Sequence, residues 1–154
     1  MFKQFSVIYI FFAGLFYLQA FPAIADNSIS FNSSAISPPI ALTPNTALPN
    51  TIIGALTVKS DSVNGFTISA ESTNGGALKR SSGEAIAYTL TYNGIDQGQL
   101  TAKKVVENVS NLITDCASQN GCNRQIQIAI SQTAISAKPA GSYSDLLLFT
   151  LVTK

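Results

Sequence analysis

The chain has 154 residues, of which 46% are hydrophobic and only 11% charged, with nine basic and eight acidic side chains, no histidine and no tryptophan. Near-neutrality removes the attraction that draws proteins to nucleic acid or to anionic membrane surfaces. The lack of histidine removes Ser-His-Asp and Cys-His nucleophile systems and the common zinc sites, so no enzyme, metal or cofactor is expected. An ordinary soluble domain carries about 25% charged residues. The surface here must be made of Ser, Thr, Asn, Gln and Gly, which suits an exported β protein or one that packs into a polymer.

Residues 1–25 have the marks of a secretory signal. Lys3 gives a weakly positive start, Val7 to Leu18 an apolar core, and Pro22-Ala23-Ile24-Ala25 a small-x-small ending. Cleavage after Ala25 is predicted. A membrane anchor would need about 20 uninterrupted apolar residues, and Gln19 and Pro22 break this run. Export to the periplasm, the cell surface or the extracellular space is expected, with no integral membrane segment after cleavage. Removing residues 1–25 from the 154 leaves 129, enough for one domain. Lys3 goes with the leader, so the exported chain holds eight basic and eight acidic residues.

Residues 26–50 form a polar extension punctuated by Pro38, Pro39, Pro44 and Pro49, which forbids one long central strand. Within it, Ile29, Phe31, Ser33 and Ala35 alternate with polar neighbours as in a half-buried strand, and Ile40 to Leu48 fits an edge segment or a linker. Two readings of Ser28 to Ala35 stand side by side: the first strand of the domain, or an extension that docks into another copy.

From residue 51 to 154 the pattern is that of an all-β antiparallel sandwich. Leu56 and Val58, the turn Asp61–Gly65, and Phe66, Ile68 and Ala70 predict a hairpin, with Asn64-Gly65 supplying positive φ. Turns at 73–76 and 81–84 follow. Ile86, Tyr88, Leu90 and Tyr92 share one strand face, and Asn93-Gly94 closes that strand. Turn signals this regular favour a sandwich over an α/β fold.

Residues 101–114 break the alternation. Val105, Val109 and Leu112, with Val106 and Ile113, fall at helical spacing, which predicts a short helix; two short strands broken near Asn108 are the rival. Cys116 and Cys122 are the only cysteines, and in an exported chain they predict one disulfide stapling a short loop. Their spacing is not the redox Cys-x-x-Cys, and they lack companions for a metal. Ile126, Ile128 and Ile130 then alternate in a clear strand, and residues 132–138 connect it to the last one.

Pro139 and Gly141 supply a turn, Tyr143 follows, and Leu146 to Val152 reads as a central strand. Leu147, Phe149 and Leu151 lie on one face, with Leu146, Leu148, Thr150 and Val152 on the other. Both faces are greasy, so the strand should be covered on both sides or border an unfilled groove. Glu71, Glu84, Asp96 and Asp145 could supply a glycosidase-like carboxylate pair, but nothing in their spacing singles them out. Tyr88, Tyr92 and Tyr143 could form a sugar platform; core packing with the phenol at the rim is the preferred role.

The run Pro139-Ala-Gly-Ser-Tyr-Ser-Asp145 before a final apolar strand resembles the closing motif of the spore coat protein U family, the pilin-like domains of archaic chaperone–usher pili. Gly54–Val58, Gly65–Ser69 and Ala87–Leu90 are similar to early strands of such domains. The cysteine that many of them carry near the mature N-terminus is missing. The resemblance implies an incomplete immunoglobulin-like sandwich lacking its last strand. It also implies assembly by strand addition, with a periplasmic chaperone and then another subunit's extension filling a groove beside Leu147, Phe149 and Leu151. Ile29, Phe31, Ser33 and Ala35 would mark the donor strand. The expected partners are other pilin-like subunits, a chaperone and an usher, and the expected role is that of a structural or adhesive surface subunit. A self-contained exported carbohydrate- or protein-binding module is the alternative.

Overall fold

The computed structural model of the chain describes residues 27–31 and 40–154. The expected leader, Ser33, Ala35 and the side chain of Phe31 lie outside the described residues. In chain order the elements are β1 (Ser28–Phe31), β2 (Leu48–Lys59), β3 (Phe66–Ser72), β4 (Ala77–Lys79), β5 (Ala85–Ala87), β6 (Thr89–Tyr92), β7 (Ile95–Gly98) and β8 (Lys104–Asn108). They continue with α1 (Thr114–Ala117), β9 (Cys122–Ile130), α2 (Gln132–Ile135) and β10 (Leu147–Thr153).

All pairings are antiparallel. One sheet runs β1-β2-β9-β6-β7, a second runs β10-β3-β8, and β4 and β5 form a separate hairpin. Period-two alternation decides what lies between the sheets. Leu56, Val58, Leu90, Tyr92, Ile126 and Ile130 come from the first sheet and Phe66, Ile68, Ala70 and Val106 from the second, and all of them are buried. Sealing a Leu, Ile or Phe side chain in this layer contributes about 1.5–3 kcal/mol each. The fold is therefore all-β and sandwich-like, as the sequence predicts.

Three local expectations are corrected. Leu56–Val58 and Phe66–Ala70 do not form a hairpin: β2 and β3 belong to different sheets, and the turn between them carries the chain across. Gly65 makes this possible, since at φ +82° its Cα lies so close to Val109 that an added Cβ would meet the carbonyl oxygen at 2.3 Å. Residues 101–113 are not helical. The ladder between β8 and β3 overrides the helical spacing, burying Val106 and turning Val105 outward at 52% exposure, and the helix nearest this segment is the single turn of α1 that starts at Thr114. Finally, β10 is an edge strand, with β3 as its one partner among the described residues. Pro49 is accommodated inside β2 where the register with β9 shifts between Leu48 and Thr51.

Candidate functional site

The open edge of β10 is the feature around which a site can be built. Lys154 donates its backbone N–H to Gly65 O at 3.1 Å, and Thr73 N–H donates to Leu146 O at 3.0 Å, at the two ends of the β10–β3 ladder. These bonds fix the even-numbered residues of β10 as its hydrogen-bonded pairs with β3. By antiparallel alternation, the N–H groups of Leu147, Phe149, Leu151 and Thr153 point away from β3, toward the unpaired edge.

Those same odd-numbered residues face the core. Leu147, Phe149 and Leu151 stand opposite Ser72, Ala70 and Ile68 in the ladder. Ile68 and Ala70 are fully sealed at 0% exposure, whereas all three β10 side chains are only half-buried. Same layer, same face, one strand further out: the difference is that, among the described residues, no strand pairs with β10 beyond it. Phe149 reaches inward to Tyr92, with ring centroids 6.3 Å apart. On the outer face Leu146, Leu148 and Val152 are exposed at 58%, 47% and 57%, so the expected cover on both sides is absent from the described residues.

The open edge of β10 lies beside β1, an edge strand of the five-stranded sheet. Near the C-terminus a cavity of about 520 Å³ is lined by Asn27 to Ile29 of β1 and its approach, and by Phe149 to Thr153. A separate, larger cavity of about 680 Å³, with no β10 residue in its lining, lies between Ile40–Leu42, Ile128 and Ile130, and the loop Lys138–Asp145. Ile40 and Leu42 pack against the core, so the segment read as an edge segment or a linker forms a wall of this cavity.

The motif Pro139, Gly141, Tyr143 and Asp145 lines the larger cavity. Tyr143 donates its hydroxyl to Pro139 O at 2.8 Å, tying the loop to itself, and Arg80 packs within 2.7 Å of where a Gly141 Cβ would stand. Asp145 is a hub. One carboxylate oxygen accepts from Ser72 Oγ at 2.5 Å and Tyr88 OH at 2.6 Å; the other accepts from Thr73 Oγ1, Asn74 N and Leu146 N. Burial, and after it the hydrogen bond to Asp145, push the Tyr88 phenol well above its ordinary range, so it stays a neutral donor. Ser72, the polar residue at the inward end of the Phe66, Ile68, Ala70 alternation, was the available signal for this hub.

At the far end of the core, Glu107 of β8 joins the two sheets. Its carboxylate accepts from Tyr92 OH at 2.6 Å and from Arg124 Nη2 at 2.6 Å, with Arg124 and Glu107 side chains only 13% and 15% exposed. Burial first, then Glu107, raise the Tyr92 phenol likewise. Arg124 Nη2 also lies 3.6 Å from Cys116 Sγ, and the Cys116–Cys122 disulfide forms as expected, staple-like across the loop before β9. No spacing rule flags this ionic cluster in the sequence.

Tyr88 and Tyr92 are thus core residues with anchored hydroxyls, Tyr143 is a partly buried loop residue bonded to Pro139 O, and the candidate acids are dispersed. Glu84 accepts from Ser82, Asp96 from Gly98 N–H, and Asp145 serves its hub. Among the described residues no cluster of three His, Cys, Asp or Glu side chains fits a metal, and no helix is long and apolar enough to cross a membrane. The candidate donor segment is brought to the groove only in part: Ser28–Phe31 pairs with Leu56–Lys59 of its own chain, Ile29 packs on the core, and Ser60 Oγ donates to Asn27 Oδ1 at 2.7 Å. No protein-family model matches the chain, and no curated protein matches it either.

Proposed function

We propose that this chain is an exported, non-enzymatic surface subunit of pilin-like type, an immunoglobulin-like sandwich whose edge along β10 accepts an extended segment from another subunit. The observation that carries the reading is the contrast across the β10–β3 ladder. Ile68 and Ala70 are sealed while Leu147, Phe149 and Leu151 remain half-open, with four N–H groups aimed at an edge that has no strand partner among the described residues. A strand added there would complete the backbone pairing and cover the apolar face in one step. The likeness of Pro139–Asp145 to the closing motif of spore coat U domains supports the same reading, and it makes a periplasmic chaperone the first occupant and Ser28 to Ala35 of the next subunit the second.

A self-contained exported binding module is the second reading, favoured by the pairing of β1 with its own β2. Size-exclusion chromatography and thermal melts of the mature chain with and without residues 26–36 separate the two. A strand-accepting subunit is expected to polymerise when intact and, when shortened, to be unstable until a peptide of residues 26–36 is supplied. Two monomers with the same cooperative melt would establish the self-contained module instead.

A further inference from the structure

Four Asn-Gly steps punctuate the chain, at Asn64, Asn74, Asn93 and Asn120. This is the dipeptide in which the following backbone nitrogen reaches the asparagine carboxamide with least steric hindrance. The fold treats the four differently. Gly65 N–H donates to Ser62 O at 3.1 Å, Gly75 N–H to Ser72 O at 3.3 Å, and Gly121 N–H to Ser118 O at 3.0 Å. Each of these nitrogens is held by a turn carbonyl, and none of the three glycines is exposed. Gly94 differs on both counts: among the described residues its N–H finds no turn carbonyl, and Asn93 and Gly94 are both exposed at the tip of the β6–β7 hairpin.

We propose that Asn93 is a site of spontaneous modification in the folded protein, converting to aspartate and isoaspartate ahead of the other three. Gly94 N attacks Asn93 Cγ; the new N–C bond forms, the Cγ–Nδ2 bond breaks, and ammonia leaves carrying the displaced amide proton. Water then opens the five-membered imide at either carbonyl. The hairpin tip has room for the ring, since nothing lies within 4 Å of where a Gly94 Cβ would stand. Attack at the other three sites must first break a turn hydrogen bond, and in the folded chain that slows them. Either product puts a new carboxylate at the hairpin tip, and isoaspartate adds a backbone methylene where Asn93 at φ +47° and Gly94 at φ +81° make the tight turn. The hairpin closes the five-stranded sheet at the edge opposite β1, so the conversion is independent of the β10 groove.

The test is to hold the mature protein at mildly alkaline pH and physiological temperature for days, folded and in denaturant, and to follow the four sites by peptide mass mapping and isoaspartyl methyltransferase labelling. In the folded sample Asn93 is expected to convert several-fold faster than Asn64, Asn74 and Asn120, and in denaturant the four rates should draw together. Faster conversion at any of the other three in the folded sample overturns the proposal. So does an Asn93 preference that persists equally in denaturant, because sequence rather than fold would then be the cause. A G94A variant should convert more slowly at Asn93 alone; unchanged conversion there would also count against the mechanism.

Discussion

Phe149 and Ala70 face each other across the β10–β3 ladder, yet Ala70 is completely sealed and Phe149 is half-exposed. Burial on this layer falls off at the last strand. Truncation should follow the same gradient. Ile68→Ala removes a fully enclosed side chain and is expected to cost about 3–4 kcal/mol, whereas Phe149→Ala, despite its larger ring, should cost about 1–2 kcal/mol. Urea denaturation of the two variants measures the difference. Equal costs would mean that Phe149 is as enclosed as Ile68.

Asp145 accepts hydrogen bonds from Ser72, Thr73, Asn74, Tyr88 and Leu146. Replacing it by Ala strands several of these donors in a partly buried place and is expected to destabilise the fold by about 3 kcal/mol. Tyr88→Phe, which removes one donor and keeps the ring, should cost about 1 kcal/mol. The two variants share a partner, so a double-mutant cycle should give a coupling of about 0.5–3 kcal/mol; strict additivity would contradict the hub.

Alkaline pH should act through Tyr88 and Tyr92. Burial, with Asp145 and Glu107 respectively behind it, raises both phenols above the ordinary tyrosine value of about 10. A raised folded-state pKa means a stability contribution fully present below the unfolded value and lost as pH climbs past it toward the folded one. Unfolding is therefore expected to begin above about pH 10, with the phenolate absorbance of these two residues rising together with loss of circular dichroism. Phenolate formation at Tyr88 and Tyr92 well before unfolding would contradict their enclosure.

The disulfide closes a short loop, so its removal in the paired Cys116→Ser, Cys122→Ser variant should lower stability by roughly 2 kcal/mol. With Cys116 at 0% and Cys122 at 7% exposure, a mild reductant should leave the bridge intact in the folded protein and cleave it readily in urea. Equal rates of reduction in the two conditions would contradict the burial.

Strands with steady alternation were legible in the sequence. Ile126, Ile128 and Ile130 and the inward row of Phe66, Ile68 and Ala70 are all buried, and the disulfide followed from the export marks and a count of two cysteines. What escaped was long-range pairing. Asn64-Gly65 signals a turn but carries no record of whether the chain returns to the same sheet or crosses to the other. Val105, Val109 and Leu112 satisfy a helical repeat by coincidence, because β8 needs only Val106 inward against β3. Of the candidate groove, the inward row on β10 was readable from period two and the motif Pro139–Asp145 from its turn residues. The edge position of β10, the separate cavity walled by Ile40 and Leu42, and the bonds of Tyr92 and Arg124 to Glu107 join residues too far apart in sequence for local patterning to mark.

Hydrogen exchange along β10 tests the vacant edge most directly. In a dilute monomeric preparation of residues 26–154 the amides of Leu147, Phe149, Leu151 and Thr153 are expected to exchange fast while those of Leu148, Thr150 and Val152, bonded to β3, stay protected. Adding a peptide of residues 26–36 should slow the first set. Protection of all seven amides in the monomer with nothing added would contradict a strand-accepting edge.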